Sequence, residues 1–140
     1  MGRKILAFGG SSSRHSINKK LAIYVDGLFN QAAVDVIDFI LLSLAEQNGA
    51  YSAAFKNIFD WNSRIPERKF FGGKKIFLLS TSPGARGGAS VMEIAAQHFL
   101  FDGGQIVGTF SLLKFRQNFQ EGLGVTNENL KNNFKRRFKK

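Results

Sequence analysis

The chain has 140 residues, 44% of them hydrophobic and fifteen of them Phe, with a formal net charge of +10 and no cysteine. That length and apolar content suit one globular domain over residues 1–140 and exclude a disordered chain. The missing cysteines exclude disulfides and thiolate chemistry, no apolar run nears the roughly 18 residues needed to span a bilayer, and no signal peptide is read, so a cytoplasmic place is expected.

The first element is a short apolar run, Ile5–Phe8, leading through Gly9-Gly10-Ser11-Ser12-Ser13-Arg14-His15-Ser16 into a helical pattern. A strand that opens through Gly and Ser into a helix N-terminus builds an anion site, because small residues expose backbone N–H groups and the helix dipole favours negative charge. The loop has neither the Gly-Lys-Ser/Thr of a P-loop nor the Gly-x-Gly-x-x-Gly of a dinucleotide fold. It can hold a terminal monophosphate, or it is an ordinary junction with Ser16 as N-cap. Ile17 to Phe29 then carries Ile17, Leu21, Val25, Leu28 and Phe29 on one helical face.

Val34–Asp38 reads as a second strand and Ile40–Leu44 as a third, with only Phe39 between them. Two parallel strands of one sheet need a crossover of about a dozen residues. Either the two runs are one long strand or a crossover segment is missing between Phe39 and Ile40, and the second is expected. Glu46-Gln47-Asn48-Gly49 follows as a polar loop, and a helix is predicted from about Ser52 to Ser63 with Phe55, Ile58 and Phe59 inward. Lys75–Leu79 is a strand ending in Ser80-Thr81-Ser82-Pro83-Gly84-Ala85-Arg86-Gly87-Gly88. A helix from Ala89 to Phe99, a strand from Gln105 to Phe110 and a last helix near Thr126, with Thr126 as N-cap, complete the pattern.

Alternating strands and helices without hairpin signals imply an α/β protein, a doubly wound parallel sheet with helices on both faces. Ligands of such sheets bind beyond the carboxyl ends of the strands. The loops at 9–16, 45–52 and 80–88 all lie there and can converge on one crevice. Lys131, Lys135, Arg136, Arg137, Lys139 and Lys140 crowd the C-terminus with Phe134 and Phe138 at i, i+4. A solvated terminal helix explains them as well as a nucleic-acid tail does. No catalytic acid–base or nucleophile constellation and no metal-ligand spacing is present. His98 is read as structural, and Asp60 and Trp61 as packing and capping their helix. Arg86 is read as a dinucleotide-phosphate contact or a solvated side chain.

The three loops together resemble those of the flavodoxin-like NAD(P)H-dependent FMN reductases, a family that includes azoreductases and quinone reductases. Gly10 to Asn18 resembles the first-strand loop that holds the FMN phosphate. Glu46-Gln47-Asn48-Gly49 with Phe55-Lys56-Asn57 and Asp60-Trp61 resembles a Pro-Glu-Tyr-Asn segment and the helix after it. Here Ala45 replaces Pro and Gln47 replaces Tyr, so Tyr51 becomes the flanking aromatic. Ser80 to Gly88 resembles the loop along the isoalloxazine edge.

The resemblance implies a five-stranded sheet in the order 2-1-3-4-5. It implies Ser11, Ser13, Ser16, Ile17 and Asn18 around the phosphate, with Arg14 supplying the charge that an Arg at position 13 gives elsewhere. Glu46, Gln47, Asn48 and Tyr51 would lie beside the ring, and Thr81, Ser82, Pro83, Gly84 and Gly87 along its pyrimidine edge. It further implies FMN and NAD(P)H as cofactors, a small acceptor such as a quinone, azo compound or free flavin, and a homodimer or homotetramer. An FMN-binding electron carrier without NAD(P)H activity, and a basic nucleic-acid module, are the alternative readings.

Overall fold

The computed structural model describes residues 5–31 and 39–138. In chain order these form β1 (Ile5–Gly10), α1 (Ile17–Gln31), β2 (Phe39–Leu44), β3 (Glu46–Gln47), β4 (Ala50–Tyr51), α2 (Ala53–Asn62), β5 (Lys75–Thr81), α3 (Ala89–Phe101), β6 (Gln105–Leu112), α4 (Phe115–Asn118), β7 (Phe119–Gln120), β8 (Gly124–Val125) and α5 (Glu128–Phe138). Strands β1, β2, β5 and β6 pair in that order, all parallel. This is a flavodoxin-like sheet with four strands among the described residues, where five were expected.

The expected break between Phe39 and Ile40 is absent. Both residues lie in β2, opposite Ile5 and Leu6 on one side and Lys75 and Ile76 on the other. Parallel pairing of β1 with β2 demands a crossover, and α1 lies between the two in the chain. The expected strand Val34–Asp38 falls outside the described residues.

Strand alternation splits the core into two layers. Leu41, Phe77, Leu79, Phe110 and Leu112 face α1 and α5, where they meet Leu21, Val25 and Phe134. Leu42, Leu44, Ile76 and Leu78 face α2 and α3, where they meet Phe55, Phe59, Val91, Ala95 and Phe99. The central strand β5 is buried from Ile76 to Thr81, so its near-continuous apolar run follows from burial on both faces. Phe134 packs edge-on against Phe77 and Phe110, which docks α5 through its apolar stripe and turns Lys135, Arg136 and Arg137 outward. The side chain of Phe138 lies outside the described residues.

Several boundaries move for local reasons. Asn127, not Thr126, caps α5, its Oδ1 accepting from Leu130 N at 3.1 Å. Helix α2 is capped by Ser52, whose Oγ accepts from Phe55 N. Trp61 does not pack, being 74% exposed, and Asp60 pairs with Lys56 on the helix surface. Strand β6 runs on to Leu112, and the segment after it folds back as α4 and the β7–β8 hairpin. His98 is exposed in the last turn of α3, where a basic group suits the dipole.

Candidate functional site

Hydrogen bonds draw the loops at the carboxyl ends of the sheet into one structure. Ser52 Oγ donates to the Gly10 carbonyl at 2.6 Å, joining the loop after β2 to the loop after β1. Glu46 Oε2 accepts from Val91 N at 3.1 Å, joining the same loop to α3. The amides of Phe115 and Lys114 donate to the carbonyls of Ser82 and Gly84 at 3.0 and 2.8 Å, bringing in the exit of β6. The three loops therefore do meet, and a fourth segment, 113–118, closes the far side.

In the first loop three of the four serines accept a backbone N–H. Ser11 Oγ takes Ser13 N, Ser13 Oγ takes His15 N, and Ser16 Oγ takes Lys19 N, at 3.2 to 3.3 Å. A hydroxyl that accepts still has its own proton to donate, so three O–H donors remain for a ligand. Ser16 is buried and caps α1, leaving the N–H groups of Ile17 and Asn18 with no hydrogen bond among the described residues. Asn18 is buried above Ser43, whose Oγ donates to its Oδ1 at 3.0 Å, so the Nδ2 donors are the part of that amide left over. Arg14 and His15 are exposed on the same loop. The whole set consists of donors at a helix N-terminus, which fits a phosphate dianion.

Gly9 lets this helix start so close to the sheet. A Cβ there would stand 2.9 Å from Lys19 N and 3.0 Å from Lys19 Cα, both backbone atoms that cannot step aside. Helix α1 is thus held against β1 with its N-terminus over the strand end.

The polar stretch 46–51 is a two-stranded hairpin, turned by Asn48 and Gly49 with φ of 51° and 79°. It presents Gln47 and Asn48, both exposed, beside the crevice. Glu46 is engaged elsewhere: its carboxylate occupies the N-terminus of α3, where Gly88 supplies no side-chain cap. The N-terminus of α3 is thus taken by Glu46, while that of α1 keeps unpaired amides among the described residues.

Tyr51 turns its ring into the core, stacked parallel on Phe99 and in contact with Phe55 and Phe59. Its hydroxyl is buried without a hydrogen-bond partner. Burial pushes the phenol up to about 12, and the Asp102 carboxylate adds to the shift. The folded chain therefore holds this proton where an unfolded tyrosine releases it. Stability contributed by Tyr51 is complete below about pH 10 and falls as the pH rises towards 12. Tyr51→Phe keeps the ring and removes the unsatisfied hydroxyl. It is expected to raise stability by up to about 1 kcal/mol and to flatten the alkaline loss, measured by urea unfolding between pH 8 and 11.

The loop after β5 is fixed from below. Ser80 Oγ and Ser111 Oγ both lie 2.7 Å from the Gly87 carbonyl, and Thr81 Oγ1 donates to the Leu112 carbonyl at 2.7 Å. Gly87 and Gly88 have φ of 61° and 83°, and a Cβ on Gly88 would meet Ser80 Cβ at 2.8 Å. With the carbonyls of Ser82, Gly84 and Gly87 all engaged, the amides of Gly84, Ala85 and Gly87 are left without hydrogen bonds among the described residues. These amides are donors available to a ligand. Pro83, which has no N–H, shapes the turn instead. Arg86 bonds Ser90 Oγ across the first turn of α3.

A cavity of about 560 Å³ lies at the other end of the sheet, lined by Ile40, Asn62, Arg68, Phe70 and Lys74. It opens at the amino ends of the strands, beside the C-terminus of α2, where the helix dipole disfavours an anion. The carboxyl-end crevice is the site that the chemistry supports. No cluster of metal-ligating side chains occurs among the described residues. No helix among them is long and apolar enough to cross a membrane.

The profile of the NADPH-dependent FMN reductase family matches residues 32–117. No curated protein matches the chain. Among solved structures it is similar to FerB, described as a flavoenzyme NAD(P)H:(acceptor) oxidoreductase, from Paracoccus denitrificans. The TM-score is 0.73 at 18% identity, covering 99% of this chain and 96% of that one. At that identity the likeness establishes the fold. The family match spans the hairpin and the loop after β5 but not the loop after β1, whose reading rests on its own geometry.

Proposed function

Because the chain belongs to the NADPH-dependent FMN reductase family, we propose that its crevice holds FMN by the loop after β1 and reduces small acceptors with electrons from NAD(P)H. The observation that carries this reading is the open N-terminus of α1. Ser11, Ser13 and Ser16 keep hydroxyl protons, and Ile17 and Asn18 keep amide protons, around one helix start. Arg14 adds a positive charge at the rim.

FMN, when bound, would supply the chemistry of hydride transfer between nicotinamide and acceptor. The chain's residues bind and orient. Gln47 and Asn48 flank the ring from the hairpin, with Tyr51 bracing that hairpin from beneath and Glu46 tying it to α3. The amides of Gly84 and Gly87, in the turn formed by Thr81, Ser82 and Pro83, offer donors where negative charge grows on reduction. The hydride step itself moves no separate proton, and the proton that completes reduction of the acceptor is taken from solvent, so no side chain of the crevice is assigned as acid or base.

The acceptor is proposed to be a quinone, an azo compound or free flavin, the small acceptors that the family reading implies. The absence of cysteine supports a reducing, cytoplasmic setting, and assembly as a homo-oligomer is part of the same reading. The test is direct. Purified protein is expected to bind one FMN per chain, to absorb near about 450 nm, and to oxidise NADPH when a quinone is added. Bound FMN without NADPH oxidation would identify an electron carrier instead. A protein whose melting temperature FMN cannot raise would overturn the proposal.

A further inference from the structure

Lys114 lies in the segment 113–118 that closes the crevice, and its backbone is strained. Its φ of 45° and ψ of 58° fall in the left-handed region, where a Cβ crowds the following carbonyl oxygen and glycine is at ease. The turn around it is rigid. Its amide donates to the Gly84 carbonyl at 2.8 Å, and its own carbonyl accepts from Gln117 N and Asn118 N at 2.9 and 3.2 Å. The next residue, Phe115, donates its amide to Ser82 and buries its ring. Asn118 Nδ2 closes the turn on the Leu113 carbonyl at 2.8 Å. With both backbone groups of Lys114 engaged, the direction of its Cα–Cβ bond is set. A strained residue in the wall of a ligand crevice points to a use for its side chain.

The charge supports the same conclusion. The Lys114 side chain is exposed and pairs with no carboxylate among the described residues. Beside it the amides of Gly84, Ala85 and Gly87 have no hydrogen bond among the described residues, so an ammonium and three amides gather at one turn. Glu46, the carboxylate at the start of α3, is engaged with Val91 N. Arg86, the loop's own cation, is tied to Ser90 Oγ.

From this juxtaposition we infer that Lys114 tunes the redox potential of bound FMN, its ammonium balancing the negative charge that the pyrimidine edge gains on reduction. The inference rests on the FMN reading above, which sets that edge against the turn 81–87. Hydride delivered to N5 of oxidised FMN brings two electrons and no separate proton, and leaves one negative charge spread over N1 and the C2 carbonyl. Lys114 forms and breaks no bond in that step and stays an ammonium throughout. A cation near N1 favours the reduced ring over the oxidised one, and it acts over several ångströms without touching the reacting atom.

The readout is the ratio of affinities for reduced and oxidised FMN, taken from equilibrium reduction of the FMN-loaded chain against a reference dye. Urea unfolding of the FMN-free chain is measured beside it. Lys114→Gln removes the charge and is expected to lower the ratio at least ~10-fold, a fall of about 30 mV in the two-electron potential. Lys114→Arg keeps the charge and is expected to hold the wild-type potential. Lys114→Gly removes the charge and relaxes the backbone, so its potential should fall while its urea midpoint rises above wild type. A purely structural role cannot move the two in opposite directions. Lys135→Gln removes the same unit charge from the outward face of α5 and is expected to leave the potential unchanged. An unchanged ratio in Lys114→Gln overturns the inference, as does an equal fall in Lys114→Arg or in Lys135→Gln. In those outcomes FMN is bound and the FMN reading stands, whereas a wild type that binds no FMN overturns both.

Discussion

Ser16→Asp is expected to weaken FMN binding at least ~100-fold while leaving riboflavin binding close to its wild-type value. Aspartate caps a helix as well as serine does, so Lys19 N keeps its acceptor and α1 keeps its start. What changes is one negative charge set against the phosphate dianion. At about 4 Å and an effective dielectric constant near 20, each unit charge contributes about 4 kcal/mol of repulsion before screening. Salt and a small outward shift of the phosphate reduce this, and about 2.7 kcal/mol corresponds to the hundredfold loss. Riboflavin carries the same ring without the phosphate and escapes the penalty. Fluorescence titration with both flavins reads the difference. Equal losses for the two would place the phosphate elsewhere.

Phe99→Ala is expected to cost about 3–5 kcal/mol of stability, as large aromatic truncations in closed cores do. Phe99 is 0% exposed, and its ring touches those of Tyr51, Phe55, Phe59 and Phe71. Helix α3, helix α2, the 46–51 hairpin and the 70–74 turn thus all rest on this one side chain. Against a total of about 5–15 kcal/mol for an ordinary domain, the loss is a large share. Urea unfolding monitored by circular dichroism measures it. Phe99→Leu, which refills much of the volume, is expected to recover more than half. Because Tyr51 is stacked on this ring, the hairpin should loosen first, and FMN retention should fall at temperatures where the helices persist.

The layered α/β organisation was legible because apolar runs and helical faces alternate with unambiguous period, from Ile5–Phe8 to the strand at Gln105. The Ser52–Ser63 helix was legible to within a residue at each end from its serine cap and inward Phe55 and Phe59, whereas Ile58, also expected inward, is 58% exposed. The hairpin at 46–51 was missed although its signal is there, an Asn48-Gly49 pair of the kind that favours φ above zero at both positions. Tyr51 was expected beside a ligand because an aromatic next to a binding loop reads the same whether it points out or in. Its direction is set by the cavity that Phe55, Phe59 and Phe99 leave for it, which no local pattern records. Trp61 went the other way for the same reason. The segment 113–125 carries no strong periodicity, and its fold depends on backbone bonds to the loop after β5.

The sequence by itself determined the class of fold, the order of its main elements and three loops with the composition of a phosphate-and-ring site. Periodicity and small-residue content are local properties, and local properties suffice for these. Only the tertiary structure decided that Phe39–Leu44 is a single strand beside β1, because pairing partners lie far apart in the chain. Only it decided that Glu46 occupies the start of α3 while the start of α1 stays open, because that depends on which carboxylate reaches which amide.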